Sequence, residues 1–217
     1  MPAMGTAVAF LIAQGWASGI SVWGVLVATG IADRVGWVDA PGYLGSTTVF
    51  VLACVLLLIE VIADKVAFLD SASDTIQTLI RPVVGAAIAS QYGGAGDELS
   101  AEVAAMVGGS TTMVSHLMKA GIRAVVNVSP EPVSNVLISS GEDVAGATVI
   151  GLAFHHPWVA LILALSLFLL SVLLLLLAIR LVRRAIARLA RYEPPPPSGP
   201  LQRFQQWVVG DRARLTG

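Results

Sequence analysis

The sequence predicts an all-α membrane protein with six transmembrane helices, arranged as two inverted three-helix repeats. Three observations lead there. The 217 residues are 56% hydrophobic and only 12% charged, about half the charged fraction of a soluble domain. Long apolar runs recur, and residues 1–32 and 144–179 contain no Asp, Glu, Lys or Arg. Finally, Lys and Arg gather at alternate ends of the predicted helices, as the positive-inside rule requires.

A membrane helix needs about 20 mostly apolar residues. Six segments meet that need: Thr6–Ala32, Thr47–Phe68, Ser73–Gln91, Ser100–Val126, Pro132–Ala153 and Pro157–Arg184. The first has no basic n-region and outlasts a signal-peptide core, so it reads as a retained helix. Gly- and Pro-rich stretches divide the segments: "DAPGYLGS", "QYGGAGDE", "NVSPEPVS" and "HHPW". "DSASD" reads as a helix start, with Asp70 or Ser71 as N-cap. Cys54 lies in an apolar run and reads as packing.

Residues 1–92 then form the first three-helix repeat and residues 97–185 the second. The repeats must be inverted, because three is odd. Residues 186–217 form a cytoplasmic tail, with the stiff spacer "EPPPP" followed by Leu201, Phe204, Trp207 and Val208 at helical spacing. An interfacial helix fits that spacing; a disordered tail is the plain alternative. Arg183, Arg184, Arg188 and Arg191 place the C-terminus in the cytoplasm, and six crossings place the N-terminus there too. Small residues four apart, Gly15 with Gly19, Ala104 with Gly108 and Ala105 with Gly109, mark close helix contacts in lipid.

The charges inside these segments carry the functional signal. Glu60 and Asp64 share a helix face, with Lys65 turned away. A charge at the bilayer centre costs at least about 2.5 kcal/mol, so such residues face the bundle interior and pair, or mark an ion path. Glu142 and Asp143 interrupt a segment otherwise free of charge, with Gly141 as a plausible break. Two adjacent carboxylates resist joint ionisation unless a cation or proton is near. Arg81 beside Pro82, or Lys119, supplies an internal counter-charge. His116, Lys119 and Arg123 form a basic stripe at i, i+3 and i+7, for which plain positive-inside anchoring is the bland account. Asp70 and Asp74 read first as helix-start residues, and Asn127, Ser129 and Asn135 place polar groups between two helices. His155 and His156 have no acid or cysteine at metal-ligand spacing. No phosphate-binding loop, zinc pattern or nucleophile elbow occurs, so neither an enzyme nor a cofactor nor nucleic-acid binding is expected.

The stretch "IEVIADKVAFLDSASDTIQTLIRPVVGA", followed by "AVVNVSPEPVSNVLISSGEDV", resembles a bacterial family of integral membrane proteins described as a domain of unknown function (DUF 4126). The resemblance spans roughly Gly5 to Arg184. It implies six helices, a bacterial cytoplasmic membrane location and no established activity. It marks Glu60, Asp64, Lys65, Asp70, Asp74, Arg81, Asn127, Asn135, Ser139, Glu142 and Asp143 as motif positions. A looser likeness links the chain to cation exchangers with an E-x-G-D-K/R motif in each repeat. Here the two acids of the first copy stand one residue further apart, and the second lacks its basic residue.

The expected function is therefore a small transporter or channel for a cation, with proton coupling in view, using carboxylates at the repeat interface. Its partners would be the lipid bilayer, a small cation or proton, and in a homo-oligomer its own copies. The alternatives are a non-transporting scaffold or complex subunit locked by buried salt bridges, and lipid-headgroup handling through the basic stripe. Whether a metal ion binds is not fixed by the sequence.

Overall fold

The computed structural model describes residues 4–65, 67–96, 98–126, 132–189 and 199. Among these residues there are seven α-helices and no strand: α1 Met4–Ile20, α2 Val22–Arg34, α3 Thr47–Ala63, α4 Ala67–Ala95, α5 Ala101–Val126, α6 Pro132–His155 and α7 Pro157–Leu189. A short 3₁₀ turn, Gly42–Gly45, precedes α3. The chain through Ile179 forms one compact unit and Arg180–Gly217 a second. The proposed interfacial segment Leu201–Val208 lies outside the described residues.

Composition and burial run opposite to a soluble protein. Arg81, Arg123 and Lys119 are among the largest fully buried side chains, while Leu169 is 66% and Leu79 74% exposed. The segments Val136–His155 and Pro157–Arg184 are long and apolar enough to cross a membrane, whereas Met4–Ile20 and Thr47–Ala63 are apolar but shorter. Water would not leave so many Leu and Val side chains outside and three cations inside; a hydrocarbon surround accounts for both.

The main departure from the predicted architecture lies in the first segment. It is two helices, divided at Ser21, whose extended backbone (φ −152°, ψ 105°) ends α1 and caps α2. The two helices run in opposite senses. α1 lies parallel to α5, since Gly15 meets Gly108 and Trp16 meets Ser115. α2 lies antiparallel to α3, since Ser21 meets Glu60 and Gly30 meets Phe50. As α3 and α5 themselves both run antiparallel to α4, α1 and α2 form a V with its tip at Ser21. Their open ends return to one place: Phe10 lies 6.3 Å from Phe154 between ring centroids, and Trp37 lies 6.1 Å from His155. The start of α1 therefore stands at the end of the unit where residues 35–46 and His156 also lie, with Gly5 against Trp158. That contradicts six full crossings, in which Thr6 and Ala32 lie at opposite ends. The physical reason is Ser21 itself, whose hydroxyl accepts a hydrogen bond from Gly24 N at 2.9 Å and starts a new helix.

The predicted small-residue contacts are present, and they join three helices. A Cβ on Gly15 would stand 2.8 Å from the Gly108 carbonyl, and one on Gly19 2.6 Å from the Thr112 carbonyl. Across the other face of α5, Gly109 opens onto Ala86 and Gly108 onto Ala89. α5 is thus gripped by α1 on one side and α4 on the other at backbone-to-backbone distance.

One predicted helix start shifts, and one expected break is absent. α4 begins at Ala67, so Asp70 sits in its first turn rather than at the cap, and Asp74 lies one turn further in. α6 runs unbroken through Gly141.

Gly19→Ala is expected to lower stability by about 1–3 kcal/mol through overpacking. Gly141, around which nothing lies within 4 Å, is expected to accept Ala with no loss or a gain of about 0.4–1 kcal/mol. Thermal unfolding of the two variants in the same detergent checks this pair.

Candidate functional site

The tip of the V is where the charges meet. Ending α1 at Ile20 strips its last carbonyls of helical partners. Two cations cover them: Arg81 Nη1 donates to Gly19 O at 2.6 Å, and Lys119 Nζ donates to Ile20 O at 3.1 Å. Positive charge is favoured there by the α1 dipole as well. On the other side of the break, Ser21 Oγ donates to Glu60 Oε2 at 2.5 Å.

Arg81 is fully spoken for. It forms an ion pair with Glu60 Oε1, donates through Nε to Gln77 Oε1, and lies 3.1 Å from His116 Nδ1. A guanidinium only donates, so Nδ1 accepts and His116 is the neutral tautomer protonated at Nε2. That nitrogen faces Thr78 Oγ1 at 3.0 Å and the Asp74 carbonyl at 3.3 Å, while the Thr78 hydroxyl donates to the same carbonyl.

A second group is centred on Asp64, at the C-terminal end of α3. Lys119 Nζ lies 2.7 Å from Asp64 Oδ2. Arg123 donates to Asp64 O at 3.1 Å and approaches Asp64 Oδ2 at 3.5 Å. It also reaches Asp70 Oδ1 at 3.6 Å and donates from Nε to Glu142 Oε2 at 3.0 Å. The two groups are joined through consecutive carbonyls of α1, Gly19 and Ile20, and through one face of α5. The i, i+3, i+7 stripe therefore points inward: His116, Lys119 and Arg123 are all buried. The lipid-headgroup alternative needs that stripe at the surface, so the geometry removes its basis.

Most of the predicted site residues converge here. Glu60 and Arg81 pair directly, and Glu142 joins Asp64 and Asp70 through Arg123. Glu60 and Glu142 belong to different ion-pair groups. Asp74 is buried, its Oδ1 has no hydrogen-bond partner, and no ion pair joins it to a cation among the described residues. Asp143 is half-buried, also without an ion pair among them, and Ser139 is fully buried with its hydroxyl unpartnered. Lys65 is half-buried and joins neither group. Asn127 and Ser129 lie outside the described residues, as does the side chain of Asn135. No group of three or more metal-ligating side chains is present among the described residues.

Sequence reasoning passed over Ser21, Gln77 and the carbonyls of Gly19 and Ile20. Gln77 carried a signal, four residues before Arg81 on the same helix face. Ser21 carried none, since a lone serine in an apolar run has no capping acid or amide three residues on.

The model for "Domain of unknown function (DUF4126)" matches residues 8–184. The chain belongs to that family. No curated protein and no solved structure matches it. All the ion pairs described above fall within the matched residues.

Glu60→Gln or Arg81→Met alone is expected to cost about 3–5 kcal/mol, because each leaves a buried charge without its partner. The double variant is expected to recover much of that loss. A double-mutant cycle on melting temperatures in detergent measures the coupling; additive losses would show that the pair is not the stabilising unit.

Proposed function

We propose that this chain is a multi-pass membrane protein that moves a small cation or a proton past the tip of a re-entrant helical hairpin. α2, at 13 residues, is about 20 Å long, well short of the roughly 30 Å hydrocarbon layer, and at Ser21 the chain doubles back on α1. Paired as a V they enter and leave from one side, and α3 to α7 make five crossings. Non-helical backbone at membrane depth is tolerated where protein buries it, and the Ser21 tip is buried. Under the positive-inside rule the end bearing Lys65, Lys119 and Arg123 is cytoplasmic, which puts the first residues of α1 outside. An inverted three-helix repeat fits this arrangement with α2, α3 and α4 as its first unit and α5, α6 and α7 as its second, because successive helices alternate in direction.

The observation that carries the transport reading is the charge imbalance at the tip. Among the described residues, six carboxylates (Glu60, Asp64, Asp70, Asp74, Glu142 and Asp143) gather around three buried cations (Arg81, Lys119 and Arg123), the half-buried Lys65 and a neutral histidine. A membrane interior does not hold that excess of negative charge without a proton or a bound cation. Glu60, Asp64 and Glu142 already have partners, so the exchangeable positions are Asp74 and Asp143, with the Ser139 hydroxyl as an added ligand. Broken helices whose ends face charged groups recur at transporter sites.

A non-transporting scaffold is the second reading, and one observation favours it: Glu60 with Arg81 and Asp64 with Lys119 are sealed, each side chain at most 2% exposed. The two accounts separate at Asp74 and Asp143. If these acids carry the ion, Asp74→Asn and Asp143→Asn should each cut flux into proteoliposomes at least tenfold. Their melting temperatures should hold or rise, because no partner cation is orphaned. Sodium, potassium and proton flux no greater than in protein-free liposomes would favour the scaffold instead.

A further inference from the structure

A cavity of about 620 Å³ opens at the far end of the molecule from the ion pairs, between the start of α1, the end of α4 and the junction of α6 with α7. Its size falls in the range of small-molecule sites. Its walls are aromatic and aliphatic. Phe10 packs edge-on against Tyr92 at 4.7 Å between centroids and lies near Phe154 at 6.3 Å, with Leu11 and Leu99 beside them. Glu98 lines the cavity too, and its Oε2 is buried without a hydrogen-bond partner among the described residues. No Lys or Arg lines it, and His155 is the basic side chain on its wall.

A buried carboxylate oxygen with no Lys or Arg beside it is costly, and the aromatic faces near it are themselves electron-rich. A neutral apolar molecule would fill the space and leave that oxygen unmet. An anion would meet it with like charge. We infer that this cavity is a binding site for an organic monocation with an apolar or aromatic body, its charge against Glu98 and its body against Phe10 and Phe154. The site is separate from the Asp74 and Asp143 region and does not depend on the chain carrying a small ion.

Tetraphenylphosphonium and tetraphenylborate have nearly the same shape and opposite charge. Equilibrium dialysis against the full chain in nanodiscs, corrected for protein-free nanodiscs, compares them directly. Saturable binding of the phosphonium, with at least tenfold weaker binding of the borate, is expected. Glu98→Gln should weaken phosphonium binding at least tenfold, and Leu99→Trp should block it by filling the space. Asp74→Asn, remote from the cavity, should leave it unchanged. Equal binding of the two ions, or full phosphonium affinity in a folded Glu98→Gln variant, would overturn the assignment. Should Glu98→Gln fail to fold, undiminished binding in Leu99→Trp would overturn it as well.

Discussion

The structure depends on the contact between Arg81 and the end of α1. A helix that stops inside a membrane leaves carbonyls that hydrocarbon cannot satisfy. Arg81 and Lys119 satisfy them, and their charges are balanced in turn by Glu60 and Asp64 of α3. Removing the break would leave the cations without their carbonyl acceptors; removing the cations would leave the break exposed. The V of α1 and α2, the inward face of α5 and the polar end of α3 are therefore parts of one solution to one desolvation problem.

The glycines on α1 and α5 belong to the same solution. Arg81 reaches Gly19 O across the helix interface, and Ser115 reaches Trp16 O at 2.8 Å. Such bonds require the backbones to approach closely, which Gly15, Gly19 and Gly108 permit. Close packing here fixes the hydrogen-bond geometry as well as the helix association.

Much of this was legible in the sequence. The all-helical class and the apolar exterior followed from the long apolar runs, and the pairing of Glu60 and Asp64 with Arg81 and Lys119 followed from the cost of leaving charge in lipid. The inward face of α5 was visible as His116, Lys119 and Arg123 at one-face spacing. The V of α1 and α2 was not legible, because hydropathy measures how apolar a run is and not which way it travels. Thr6–Ala32 read as one long helix for that reason. Ser21 was overlooked because a lone serine is common in membrane helices; its consequence appears only when Glu60, 39 residues on, stands beside it. The break was expected at Gly141 instead, where α6 is continuous, because glycine permits a break without requiring one.

Side-specific labelling tests the re-entrant hairpin most directly. With Cys54 replaced by Ala, single cysteines are placed at Thr6 and at Trp37 and exposed to a membrane-impermeant maleimide in sealed, oriented vesicles. Both positions are expected to react from the same side, opposite to a cysteine placed at Lys65. Labelling of Thr6→Cys and Trp37→Cys from opposite sides would contradict it, restoring a single crossing through residues 6–32 and leaving the buried break at Ser21 without its explanation.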